Sequence, residues 1–212
     1  MSDYHRSRFA YDARRDAVWA AIVAYLVRTK VIEPGWDVID LGAGYCHLIN
    51  NLPARRRFAL DTLADLASYA GPGVVPLVQQ CHDPWPIEDA SLQAVFASNL
   101  LEHLTRPQLD LVAAEMRRVL KPGGRVIVLQ PNYYYAYREY FDDYTHVAVF
   151  SHVSLADYFM AQSLTPIRIV PRLLPFSMKT PAPKSRWLVD LYLRSPIRPF
   201  GKQMLIVCEK PR

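Results

Sequence analysis

Apolar positions along this chain follow two periods, one of helices and one of buried strands. From Asp12 to Lys30 the residues Val18, Trp19, Ile22, Tyr25 and Leu26 recur at three- and four-residue spacing, which predicts an amphipathic opening helix ended by Glu33-Pro34-Gly35. Val38-Ile39-Asp40-Leu41 and Phe58-Ala59-Leu60-Asp61 are short apolar runs that end on or next to an acid, as expected of parallel strands buried on both faces. A glycine turn and a short helical stretch separate them. A helix from Leu63 to Tyr69 and the break Gly71-Pro72-Gly73 precede Val74 to Val78, which Pro76 assigns to a sheet edge because proline cannot donate to a ladder. Leu92 to Ser98 reads as a fourth strand, Pro107 to Leu120 as a helix, Pro122-Gly123-Gly124 as a turn and Arg125 to Gln130 as a fifth strand. This alternation predicts an α/β domain with a mostly parallel sheet, helices on both faces and ligands at the carboxyl ends of the strands.

After Pro131 the pattern changes. An aromatic stretch, Tyr133-Tyr134-Tyr135-Ala136-Tyr137, leads to a helix from Val153 to Ala161 and then to two apolar runs, Ile167 to Val170 and Met204 to Cys208. The Pro-rich connection between them, 172–202, contains a helix-like piece, Trp187 to Leu193, and reads as a lid or substrate insertion. At 212 residues the whole, 1–212, is expected to form one domain around one core.

Composition narrows the class. With 51% apolar and 21% charged residues the chain is an ordinary globular one, which excludes a disordered or fibrous protein. No stretch approaches the roughly 18 to 20 apolar residues of a spanning helix. The charged start MSDYHRSRFAYDARRD does not suit a signal peptide, so a cytoplasmic location is expected. Cys46, Cys81 and Cys208 are odd in number and far apart, which argues for reduced structural thiols. The net charge of +5 is concentrated late, with ten Lys or Arg against two acids from Arg168 to Arg212. That excess suits a solvated face. With Trp187-Leu188-Val189 and Leu191-Tyr192-Leu193 set among Arg186, Arg194 and Arg198, it also suits peripheral contact with an anionic membrane face.

Candidate chemistry begins in VIDLGAGYCHL. Gly42 and Gly44 permit a close backbone approach to a ligand, and Asp61 stands nineteen positions beyond Gly42 at the end of the next strand, where a carboxylate can accept two ribose hydroxyls. A dinucleotide loop would need a third glycine where this chain has His47, a bulky residue that crowds a diphosphate. S-adenosylmethionine carries no phosphate, and the loop favours it.

The strings DPWPIEDASLQAVFASNLLEHL and EMRRVLKPGGRVIVLQPN resemble the class I S-adenosylmethionine-dependent methyltransferases, particularly the group acting on small molecules and lipid precursors. The resemblance covers nearly the whole chain. It implies a Rossmann-like, seven-stranded sheet whose last strand is antiparallel, with the two final apolar runs as strands six and seven. It also implies that Asp40 and the Gly42-Ala43-Gly44 backbone surround the methionine end, that Asp61 with the adjoining Thr62 holds the ribose, and that Asp83 faces the adenine amine. Ser98 and Asn99 would offer carbonyls to the ammonium, and S-adenosylhomocysteine would be the product. Asp83 as a simple turn or capping acid is the structural alternative. The family's third loop glycine is replaced by Cys46, which predicts a shifted helix or weaker cofactor binding.

For catalysis, Glu102 and His103 follow the fourth strand, where His103 is either a general base or a positioning group. His146 is the preferred base, with Asp142 or Asp143 as the group that orients its ring. Glu102, Asn132, Tyr133 and Tyr144 are expected at the acceptor, and Tyr4 and Tyr11 over the cofactor. No metal site is assigned, since His5, His82 and His152 lack ligand spacing. The acceptor is expected to be a small molecule or a glycan or lipid precursor, methylated on oxygen, nitrogen or carbon. The alternatives are a non-catalytic cofactor- or protein-binding module and an RNA methyltransferase. Nucleic acid is disfavoured because Ser98-Asn99-Leu100-Leu101 stands where base-amino methylation needs an acid, Asn or Ser followed by two prolines and an aromatic residue.

Overall fold

The opening helix α1 (Arg14–Arg28) forms where the apolar stripe predicts it, burying Val18, Ala21, Ile22, Tyr25 and Leu26. Asp16 in its first turn and Arg28 in its last match the helix dipole. A computed structural model describes residues 11–12, 14–175 and 185–212. After α1 come β1 (Asp37–Leu41), α2 (His47–Asn51), β2 (Arg56–Asp61), α3 (Leu66–Tyr69), β3 (Val74–Val78) and β4 (Leu92–Ser98). A 3-10 turn (Leu101–His103) then leads to α4 (Arg106–Val119), β5 (Leu120–Pro131), α5 (Tyr133–Ala136), α6 (His152–Ala161), β6 (Thr165–Pro175), α7 (Arg186–Arg194) and β7 (Gly201–Glu209).

The seven strands form one sheet in the order β3-β2-β1-β4-β5-β7-β6. β7 runs antiparallel to both its neighbours, and the other pairings are parallel. This is the Rossmann-like sheet expected from the sequence, with Pro76 on the edge strand. Strand residues alternate between two cores. Ile39, Leu41, Val95, Ala97, Val126 and Ile206 pack with α4 and α6, whereas Val38, Ala94, Phe96, Ile127 and Leu205 pack with α1, α2 and Leu193 of α7. The chain order reverses between β1 and β4, and the carboxyl ends of strands at such a reversal are the usual ligand position in sheets of this kind.

Four expectations need correction. The helix predicted from Leu63 starts at Leu66, because Asp61 accepts the Leu63 amide at 3.0 Å and holds that residue in a turn. Pro122-Gly123-Gly124 lies inside β5 as an irregularity, where the register with β4 jumps between Leu92/Leu120 and Ala94/Arg125. A β-carbon on Gly124 would meet the Lys121 carbonyl at 2.8 Å, so this kink requires glycine. The third correction concerns the lid at 172–202. Its first residues belong to β6 and its last to β7, while α7 packs against α1, with Arg28 bonded to Asp190 at 2.9 Å. Residues 176–184 lie outside the described residues. The fourth concerns His146, whose Nδ1 bonds a backbone carbonyl, as described below.

Asp37 opens β1 with a fully buried carboxylate, bonded by Arg55 Nε at 2.9 Å and Nη2 at 2.5 Å and by Arg56 Nη2 at 2.9 Å. The hydrogen bonds from Arg55, with those of Arg56, hold its carboxyl well below the usual range despite burial. The three cysteines are free and buried. Burial pushes the thiols of Cys46 and Cys208 up to about 12 and that of Cys81 up to about 11. The thiolate is the reactive form, so the folded protein at pH 7.5 should leave a chromogenic disulfide reagent unconsumed until denaturant is added. Rapid release of one equivalent from native protein would contradict this packing.

Candidate functional site

Two groups of side chains meet at the carboxyl ends of β1, β2, β4 and β5. The first surrounds the loop 42–46. Gly42 and Ala43 donate their amides to the Leu60 carbonyl at 2.8 and 3.1 Å, and Gly44 donates to Asp61 Oδ2 at 2.8 Å, so β2 fixes the loop. Gly42, Gly44 and Cys46 all have positive φ, at 67°, 51° and 58°. For a side chain that conformation costs about 1–2 kcal/mol. Cys46 therefore occupies a glycine position under strain, and α2 nevertheless begins directly after it. Near it Asp40 and Asp61 are both buried, and burial together with the charge of Asp61 pushes Asp40 well above its usual range. Two adjacent buried carboxylates suit a cationic ligand and repel a diphosphate.

The neighbouring residues extend this surface. Thr62 and Asp83 are exposed, Ser98 is half-buried and Asn99, at φ 48°, is exposed beyond β4 with its Oδ1 accepting from Gln203. His47 Nδ1 lies 2.5 Å from Asp16 Oδ1, which ties α1 to α2, and Tyr11 stacks on its ring at 5.5 Å. Tyr11 also lies 5.5 Å from Tyr45 and 5.8 Å from Tyr69, centroid to centroid. Tyr4 lies outside the described residues.

The second group is Glu102, His103 and His146. The Glu102 carbonyl accepts the amides of Val147 at 2.9 Å and Ala148 at 3.0 Å, which clamps the 3-10 turn after β4 to the segment after β5. The clamp brings one donor atom from each of the three side chains within 4.8 Å of the others. The imidazole rings of His103 and His146 meet edge to face at 4.8 Å. Glu102 is fully buried, burial pushes its carboxyl up to about 8, and neither oxygen has a hydrogen-bond partner. Burial lowers both imidazoles below their ordinary range.

His146 Nδ1 bonds the Tyr140 backbone carbonyl at 2.6 Å, the contact that orients its ring. Asp143 instead accepts from Thr145 Oγ1 at 2.6 Å, and Thr145 Oγ1 lies 2.9 Å from His103 Nδ1. Neither Thr145 nor the Tyr140 carbonyl was legible as a functional group from the sequence, because both act across a loop whose path only the fold defines. Asn132 is fully buried, and its amide bonds His152 Nδ1, the Pro171 carbonyl and the amides of Tyr134 and His152. Its polar atoms are thus committed to the fold rather than to the acceptor. Tyr133 packs on Tyr140 at 5.3 Å, and Tyr144 is 78% exposed, leaving it available to a ligand only from the rim.

Residues 39–128 match the protein family described as a methyltransferase domain. The chain is 29% identical over 148 residues to a ubiquinone/menaquinone biosynthesis C-methyltransferase of Brucella anthropi, covering 60% of this chain and 55% of that protein. It is 31% identical over 137 residues to a sterol 24-C-methyltransferase of Gibberella zeae, covering 57% of this chain and 34% of that protein. It thus spans about half or less of the length of these curated relatives. A solved structure of the 1,6-didemethyltoxoflavin-N1-methyltransferase of Burkholderia thailandensis, with its named substrate and S-adenosylhomocysteine bound, superposes with a TM-score of 0.63 at 17% identity, covering 100% of this chain and 85% of that one. Among the described residues no helix is long and apolar enough to cross a membrane.

Proposed function

Because the chain belongs to the class I S-adenosylmethionine-dependent methyltransferases, we propose that it methylates a small-molecule, glycan- or lipid-precursor acceptor held at the carboxyl ends of β4 and β5. The observation that carries this reading is the pair of buried carboxylates, Asp40 and Asp61, beside a glycine loop. A cofactor with an ammonium and a sulfonium relieves their mutual repulsion. When bound, that cofactor supplies an electrophilic methyl group.

The chain's own residues orient and enclose the reactants. Asp40 and the Gly42-Ala43-Gly44 backbone hold the methionine end, with Ser98 and Asn99 offering carbonyls to its ammonium. Asp61 and Thr62 take the ribose, and Asp83 takes the adenine amine. On the acceptor side stand Glu102, His103 and His146, with Tyr133 and Tyr144 at the rim. This cluster is where an oxygen or nitrogen nucleophile loses its proton. Placing both reactants in one water-poor crevice supplies most of the rate enhancement in such a transfer. A lipid-borne acceptor fits α7, where Trp187 and Leu191 are exposed between Arg186 and Arg194.

The test is calorimetric titration of the purified chain with S-adenosylmethionine, S-adenosylhomocysteine and reduced nicotinamide dinucleotide. Saturable binding of the two sulfur compounds alone is expected. Binding of the dinucleotide in their place, or of none of the three by folded protein, would remove the basis for methyl transfer.

A further inference from the structure

Glu102, His103 and His146 each bring one atom able to ligate a metal within 4.8 Å of the others. His146 Nδ1 lies 2.6 Å from a carbonyl oxygen, which can only accept, so Nδ1 carries the ring proton and Nε2 the lone pair. Thr145 gives its one hydroxyl proton to Asp143, so its contact with His103 Nδ1 makes that nitrogen a donor as well. Both neutral rings are thereby fixed as the same tautomer. The Glu102 carboxyl is fully buried, and both its oxygens are without a partner. Only a proton shared with a ring, or a cation, can partner those oxygens.

We propose that Glu102, His103 and His146 form a binding site for a divalent transition-metal ion. A proton shared between the side chains would fill the gap only by drawing two of their atoms to about 2.5–3.0 Å, and no hydrogen bond joins Glu102 to either ring. Around an ion with bonds of about 2.0–2.2 Å, donors stand roughly 3.0–4.2 Å apart. The donor atoms here lie within 4.8 Å of one another, so the widest pair closes by well under the reach of a side-chain rotation. The rings also carry the outer bonds that such ligands need, Nδ1–H to the Tyr140 carbonyl in one and to Thr145, backed by Asp143, in the other. Two imidazoles and one carboxylate select zinc, manganese, iron(II) or cobalt over calcium or magnesium.

This site deepens the proposed function, and only its catalytic consequence rests on that reading. Three protein ligands leave coordination positions for an acceptor, which is therefore a hydroxyl compound. The ion lowers the pKa of the ligated hydroxyl, whose proton passes to solvent. The oxygen then attacks the methyl carbon, and a C–O bond forms as the C–S bond breaks with its electron pair returning to sulfur. The ion itself is unchanged.

The test uses the full chain, treated with a chelator and titrated with cobalt(II), read by visible absorption, and with zinc(II), read by calorimetry. One ion per chain is expected, with affinity lowered at least ~100-fold in Glu102→Gln and His146→Gln and unchanged in His82→Gln. Should the first two variants fail to fold by circular dichroism, manganese(II) added to the unsubstituted chain is expected to broaden the ring-proton signals of His103 and His146 before those of His82 and His152. Absence of stoichiometric binding, equal affinity in folded variants, or broadening spread evenly over the histidines would overturn the site. Titration of the metal-free chain with S-adenosylhomocysteine separates the two readings. Cofactor binding without metal binding overturns the metal site alone, whereas metal binding without cofactor binding supports the site and overturns methyl transfer.

Discussion

Asp61→Ala is expected to weaken S-adenosylhomocysteine binding at least ~100-fold in calorimetry, the loss of two hydrogen bonds to a charged group at about 1.5–3 kcal/mol each. The effect has two sources. Asp61 is assigned to the ribose hydroxyls, and it also holds the glycine loop through Gly44 at 2.8 Å and the start of the next segment through Leu63 at 3.0 Å. Asp83, by contrast, is exposed, so a bond it makes to adenine competes with water, and Asp83→Ala should cost less than about tenfold. Near-native binding by a folded Asp61→Ala protein would remove Asp61 from the cofactor site.

The largest stability effect is expected at Asp37, far from this chemistry. Its carboxylate is buried while Arg55 and Arg56 are 63% and 48% exposed, so solvent screens part of the interaction. Asp37→Ala should cost about 2–3 kcal/mol, below the 3–5 of a fully buried pair. That corresponds to a melting temperature lower by roughly 4–12 °C for a domain of this length. The effect also has a definite pH dependence. A carboxyl held low in the folded state adds stability above its unfolded pKa of about 3.9, and that stability disappears as pH falls toward the folded value. The gap in melting temperature between the two proteins should therefore be full at pH 6 and shrink below pH 4. Calorimetric scans that find the same gap at pH 6 and pH 3 would rule out the ion pairs as its origin.

The elements read most securely from the sequence were those whose pattern is local. Val38 to Leu41 is an apolar run broken only by Asp40 and followed by Gly42-Ala43-Gly44, and its strand and loop needed no distant information. Pro76 identified an edge strand by chemistry alone. Pro122-Gly123-Gly124 misled, because the dipeptides that form turns also form strand irregularities, and the choice depends on whether β4 lies alongside. Within the site, Glu102, His103 and His146 were visible as residue types, but their meeting depends on backbone bonds from Val147 and Ala148 to the Glu102 carbonyl, more than forty positions apart. The group orienting His146 was expected to be a nearby acid. The structure uses a backbone carbonyl, which every residue possesses and no sequence pattern can single out. Asn132 had the right residue type for binding a ligand, yet four bonds within the protein occupy its amide.

The insertion of β7 between β5 and β6 constrains the order in which the sheet can be assembled. During synthesis β5 is complete at Pro131, but its partner begins only at Gly201, and β6 made in between has no neighbour to pair with until the same residues arrive. Two apolar strand edges thus wait on one late segment, and this is the state in which a nascent chain is most prone to pair with another copy of itself. A ribosome stalled between β6 and β7 would leave a molecule with its glycine loop formed, its sheet ending at β5 and β6 undocked.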